Sequence, residues 1–156
     1  MPSSSAHDIF RRYGQGIPVD VETIARDMGF KVIADPDLSC CGQASIENGI
    51  PVIRYRESDS LVRRRFTISH EIGHFVLGHT DTGTKLRDVT VDPSLDPNEI
   101  DANTFAAELL VPRVVLDLIM SRGAGDSIKH LADTFGVSGA VMEYRLKSLG
   151  YIPQNI

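Results

Sequence analysis

Arg65-Phe66-Thr67-Ile68-Ser69-His70-Glu71-Ile72-Gly73-His74-Phe75-Val76-Leu77-Gly78-His79 is the stretch around which the rest of the chain is organised. It contains His-Glu-x-x-His. Residues four apart on an α-helix stack on one face, one turn apart. His70 and His74 can therefore offer two imidazole nitrogens to one metal ion. Glu71 is rotated about 100° from His70, which places it beside the metal, where a carboxylate can take a proton from a water. Two ligands and a general base at this spacing are the parts of a zinc-dependent peptide hydrolase. The alternative is a buried helix with two core histidines and a surface Glu.

The flanks of the stretch predict a helix. Ser60 is a good N-cap, no proline falls between 61 and 79, and Gly78 suits a C-terminal stop. Phe66, Ile72, Phe75, Val76 and Leu77 supply a buried side. Upstream, Gln43-Ala44-Ser45-Ile46-Glu47 and Ile50-Pro51-Val52-Ile53-Arg54-Tyr55 flank Asn48-Gly49, a hairpin turn pair. Pro51 cannot donate to a ladder and belongs at a strand start or an edge. Before the hairpin, short helices are predicted over Ala6 to Tyr13 and, capped by Asp20, over Val21 to Met28, followed by a strand over Phe30 to Ile33. Residues 1–5 are expected to fray.

After the motif, the polar segment Thr80 to Asp96 is predicted to be an exposed loop. Asp96-Pro97-Asn98-Glu99 opens a helix to about Leu110, and Pro112 starts another to Met120. Ser121 to Gly125 is a break. Asp126 to Phe135, Gly136-Val137-Ser138 and Gly139 to Leu149 read as helix, tight turn, helix.

At 156 residues, with 42% apolar and 24% charged residues, the chain has the composition of one globular domain with at most a small appendage. Its net charge of −5 supplies no global drive towards nucleic acid or anionic membrane. The N-terminus has neither the basic nor the apolar region of a signal peptide, and no apolar run reaches membrane-spanning length. The cysteines are the adjacent Cys40 and Cys41, which make no disulfide framework and are expected to be small buried or half-buried thiols. A cytoplasmic protein is expected.

A catalytic zinc commonly takes three protein ligands and keeps one position open. Candidates for the third are His79, Asp81, Glu99, Asp101, Glu108 and His130. The spacing that adds a later His to this motif requires Gly and His where Leu77 and Thr80 stand. If the helix continued, His79 would lie about 180° from His70, so it is expected to be a capping or surface residue. Glu99 opens a helix whose inward stripe is Glu99, Ala102, Asn103, Ala106 and Leu110. The alanines allow close approach to the Gly73 side of the motif helix, and Asn103 can hydrogen-bond a ligating His. Asp101 points about 200° away from Glu99. Asp96-x-x-Glu99 is equally a capping-box spacing, in which Glu99 would only satisfy a backbone donor.

The run Arg65 to His74, followed by Glu99-Ile100-Asp101-Ala102-Asn103-Thr104-Phe105-Ala106-Ala107-Glu108-Leu109-Leu110-Val111-Pro112, resembles the ImmA/IrrE family of metallopeptidases. The hairpin before these blocks and the Phe135-Gly136-Val137-Ser138 turn after them fit the same resemblance. It implies one zinc ion held by His70, His74 and Glu99, with Glu71 as the base. It also implies a cytoplasmic peptidase that cleaves helix-turn-helix repressors, or antitoxin-like partners, of phage, mobile-element or stress-response genes. Some members carry a further sensory domain, and none is expected in a chain ending at Ile156.

The expected architecture is α+β and zincin-like: a small β-sheet including a hairpin, the His-Glu-x-x-His helix, a second ligand helix, and a C-terminal helix-turn-helix-like region. The expected division is residues 1–112 for the peptidase and 113–156 for a helical subdomain packed on it. The spacing Ile128-x-x-Leu131-Ala132-x-x-Phe135-Gly136-Val137-Ser138 is that of a helix-turn-helix. Its second helix offers only Arg145 and Lys147 as cations, with Glu143 between them, so specific DNA binding is not expected. Arg63-Arg64-Arg65 splays over different helix faces and is expected to be solvated. A donor for the tetrahedral oxyanion is required, and His130, Tyr144 and Arg145 are the candidates. An extended substrate could add to an exposed strand of the hairpin sheet. Two other readings stand beside this one: a non-catalytic, zinc-stabilised module that holds a repressor partner, and a DNA-binding regulator.

Overall fold

The structure is a computed structural model. It describes residues 5–14, 16–39, 42–79, 96–123 and 127–153, together with the backbone of 85–87. Cys40, Cys41, Asp81, Asp126 and most of the segment from Thr80 to Ser94 lie outside the described residues, as do residues 1–4.

The elements, in chain order, are α1 (Ala6–Tyr13), α2 (Val21–Asp27), β1 (Lys31–Asp35), β2 (Gly42–Glu47), β3 (Ile50–Arg56), α3 (Leu61–Val76), β4 (Lys85–Arg87), α4 (Pro97–Leu110), α5 (Arg113–Ser121), α6 (Ile128–Phe135) and α7 (Gly139–Ser148). The fold is mixed α+β. Its sheet has the order β1-β3-β2-β4. β1 runs parallel to β3, and the β2 pairings are antiparallel. The first strand begins at Lys31 rather than at Phe30, because Phe30 is buried in the core and its N–H bonds back to the Ala25 carbonyl at the end of α2. β4 lies inside the segment predicted to be loop. Its three residues are too few to show a strand period, and the pairing with Gly42 to Ala44 makes it a strand.

The hairpin forms where its turn residues demand it. Asn48 and Gly49 have φ of 53° and 79°, the left-handed pair of a two-residue hairpin turn. Pro51 opposes Ile46 on β2 and stands just before the β1 ladder begins at Val52, so its missing N–H costs the parallel pairing nothing.

α3 is capped by Ser60, whose hydroxyl accepts from the Arg63 N–H. Every residue from Phe66 to His74 is buried. One side lies on β2 and β3, and the other lies on α4. Two glycines set these approaches. A β-carbon at Gly73 would stand 3.0 Å from the Phe105 ring, and one at Gly42 would stand 2.3 Å from Thr67 Cγ2. Phe105 extends the inward stripe of α4 beyond the residues predicted for it. Gly42→Ala forces strand and helix apart in a fully packed layer. It is expected to destabilise the fold by about 1–3 kcal/mol, read as a lowered midpoint in urea with an unchanged slope.

The C-terminal helices share this core. Leu131, Phe135, Met142 and Leu146 cluster with Leu109, Leu110 and Ile72. α6 starts at Ile128, capped by Ser127. Gly136, at φ 68°, ends it, and Ser138 caps α7. Arg65 is not a solvated surface residue. Its guanidinium donates to the carbonyls of Val19 at 2.6 Å, Gly136 at 3.0 Å and Phe135 at 3.2 Å. It thereby joins α3 to the end of α6 and to the segment before α2, satisfying carbonyls that the helix end leaves over. Arg64 lies over the Tyr55 ring at 5.0 Å. Periodicity places these arginines on separate faces but does not report what covers each face.

No helix among the described residues is long and apolar enough to cross a membrane.

Candidate metal centre

His70, His74 and Glu99 converge. One ligand atom from each lies within 4.8 Å of the others. His70 Nε2 stands 3.0 Å from Glu99 Oε2, His74 Nε2 3.2 Å from the same oxygen, and the two Nε2 atoms 3.0 Å from each other. Tetrahedral zinc with bonds of 2.0–2.2 Å holds its ligand atoms about 3.3 Å apart. The cluster therefore has the scale of one divalent ion.

Its chemistry fits as well. His70 Nδ1 lies 2.7 Å from Asn103 Oδ1. An amide oxygen only accepts, so Nδ1 carries the proton and Nε2 presents a lone pair to the cluster. His74 Nδ1 lies 3.1 Å from His79 Nδ1. Both imidazoles are almost fully buried, while the Glu99 side chain keeps 16% of its exposure. Burial alone would raise the Glu99 pKa. The neighbouring His70 and His74 outweigh it and hold the carboxyl well below its usual range. An ionised carboxylate and inward lone pairs are what a cation requires.

The capping-box geometry is absent. Asp96 Oδ1 accepts from the Asn98 N–H at 2.7 Å, and Glu99 turns its Oε2 to the histidines instead. Asp101, two residues on, is exposed.

Glu71 is wholly buried and lies outside the convergent group. It sits one turn after Thr67 on the sheet-facing side of α3. A β-carbon at Gly42 would come within 3.7 Å of its Oε1.

The remaining candidates separate. Arg145 is 7% exposed and donates from Nε to the Val111 carbonyl at 3.0 Å. Val111 stands twelve positions after Glu99, about 18 Å along the helix axis, so the structure does not bring Arg145 to the cluster. His130 is exposed, and its backbone bonds stay within the first turns of α6. The Tyr144 hydroxyl meets Thr104 Oγ1 at 3.1 Å, beside Asn103 on α4. Glu108 is half-buried towards the Val111 end of α4.

His79 is a capping residue, one of the two roles expected for it, but a continued helix does not place it there. α3 stops at Val76, so the extrapolated helix angle does not apply. Gly78, at φ 81°, reverses the chain; the Gly78 N–H bonds to the Phe75 carbonyl and the His79 N–H to the His74 carbonyl at 2.7 Å. This is a Schellman ending, which sets the second residue after the cap against the third-last helical residue. Those residues are His79 and His74, with rings 5.2 Å apart. The glycine one residue before a histidine was the available signal.

Fold and cluster together define a small mixed α+β protein built around a candidate metal centre. The chain belongs to the Peptidase_M78 family: the model of its IrrE N-terminal-like domain matches residues 20–147. It is 35% identical over 81 residues to uncharacterized immunity region protein 2 of Bacillus phage phi105, a match covering 45% of this chain and 51% of that protein. A Mycobacterium tuberculosis transcriptional regulator shares the fold, with a TM-score of 0.58 at 19% identity over 91% of this chain and 45% of that one. The chain spans about half the length of both relatives.

Proposed function

We propose that this chain is a zinc-dependent endopeptidase acting on a helix-turn-helix repressor, or an antitoxin-like partner, that controls phage, mobile-element or stress-response genes. The observation that carries the reading is the convergence of His70, His74 and Glu99 on one point, with Glu71 next to the first ligand in sequence. Family membership and the phage immunity-region relative support a link to gene control.

In this reading His70, His74 and Glu99 hold one zinc ion, and Asn103 orients His70 from α4. Bound zinc supplies a Lewis acid that makes a water acidic enough to serve as nucleophile near neutral pH. Glu71 would be the base that accepts the proton of the attacking water and returns it to the leaving amine. Its side chain is fully buried beside Gly42. Tyr144 is the best placed of the three oxyanion-donor candidates, since Arg145 is committed to Val111 and His130 is exposed on α6. The chain divides at residue 112 into a peptidase core and a helical appendage, with Arg65 and Arg145 tying the appendage down.

The pairing of the α7 cations supports a role other than reading DNA. Arg145 is buried on a carbonyl, and Lys147 lies 3.6 Å from Glu143. The test is to incubate the zinc-loaded protein with the repressor encoded beside its gene and weigh the products by mass spectrometry. Two fragments whose masses sum to the repressor plus one water are expected. An intact repressor, together with a specific gel shift of an operator fragment by this chain alone, would replace the peptidase reading with a DNA-binding one.

A further inference from the structure

Each histidine of the cluster touches a different outer partner. Asn103 reaches His70 from α4, and His79 reaches His74 from the turn that ends α3. Nδ1 and Nε2 lie on opposite sides of an imidazole ring, so His79 stands on the side of His74 away from the cluster. A neutral imidazole carries its proton on one nitrogen only, and the partner of one nitrogen decides which lone pair the other presents.

We propose that His79 is a positioning residue for the metal centre: its Nδ1 accepts the N–H of His74 Nδ1 and so keeps the His74 Nε2 lone pair turned towards His70 and Glu99. This rests on the zinc reading given above. The role requires His79 itself to be the Nε2–H tautomer. It also assigns a purpose to the Schellman ending, because Gly78 at φ 81° is what returns His79 to His74. With Asn103 accepting from His70, both imidazoles then present lone pairs to one point. If His79 donated instead, His74 would turn an N–H towards the cluster and could not ligate.

The test is zinc affinity of the full chain, measured by competition with a chromophoric chelator, for the wild type, His79→Ala, His79→Phe and His79→Gln. Loss of the outer partner of a ligating histidine typically weakens metal binding 10–100-fold. His79→Ala and His79→Phe are expected to fall by about that factor while still binding one ion. His79→Gln, whose side-chain carbonyl accepts the same N–H, is expected to recover most of the loss. Four equal affinities overturn the proposal. A Gln variant as weak as the Phe variant also overturns it, since the acceptor would then not matter. Lost stoichiometry overturns it too, by making His79 a ligand. Long-range nitrogen–proton correlation on the zinc-loaded wild type tests the tautomers without any substitution: His79 as Nε2–H and His74 as Nδ1–H support the proposal, and the reverse refutes it. A wild type that takes up no zinc refutes the underlying metal reading instead.

Discussion

Glu71→Gln keeps its zinc and its melting transition and loses cleavage of the repressor by at least about 10²–10⁴-fold, the usual contribution of a general base. The expectation is positional. Glu71 adjoins His70 in sequence but is not one of the three groups that converge. Replacing its carboxylate by an amide therefore changes the path of a proton and leaves the donor set whole. The amide nearly matches the carboxylate in shape, so the layer between α3 and Gly42 repacks little. Activity and zinc content are measured on the same preparations. Undiminished cleavage by a zinc-loaded variant would refute the role. Joint loss of zinc and activity would make Glu71 a structural support of the centre.

Glu99→Ala has the other large effect. Removing this side chain deletes one of three ligands and leaves the two histidines as a pair, so most bound zinc is lost. Asp101→Ala is the control. It removes a carboxylate from the same helix at an exposed position and keeps the metal. Atomic emission on the dialysed proteins reads the difference. Equal zinc content in the two variants would return Glu99 to the role of a helix-end residue, against the geometry that turns its Oε2 to both imidazoles.

What was legible in the sequence follows from the range of the forces involved. The His70 helix, its Ser60 cap, the Asn48-Gly49 turn and the Asp96-Pro97 start of α4 are local, and each appears where its own residues predict it. The closeness of Glu99 to the histidines was half legible. Small residues on α4 and Gly73 on α3 announced a close crossing, but spacing alone could not choose between ligand and capping box. The parallel pairing of β1 with β3 and the short β4 depend on partners distant in sequence. Arg65 was misread for the same reason: its carbonyl partners lie about 46 and 70 residues away, beyond any periodicity. The capping role of His79 was legible, but its ring contact with His74 was not, because the helix angle does not hold past the stop at Gly78.

One zinc ion is expected on His70, His74 and Glu99. X-ray absorption at the zinc edge of the loaded protein tests it most directly. The expected spectrum contains only nitrogen and oxygen neighbours, at about 2.0–2.2 Å, with imidazole scattering from two rings. A sulfur shell at about 2.3 Å would place the metal on Cys40 or Cys41, the only thiols in the chain, and would rule out the site of two histidines and Glu99.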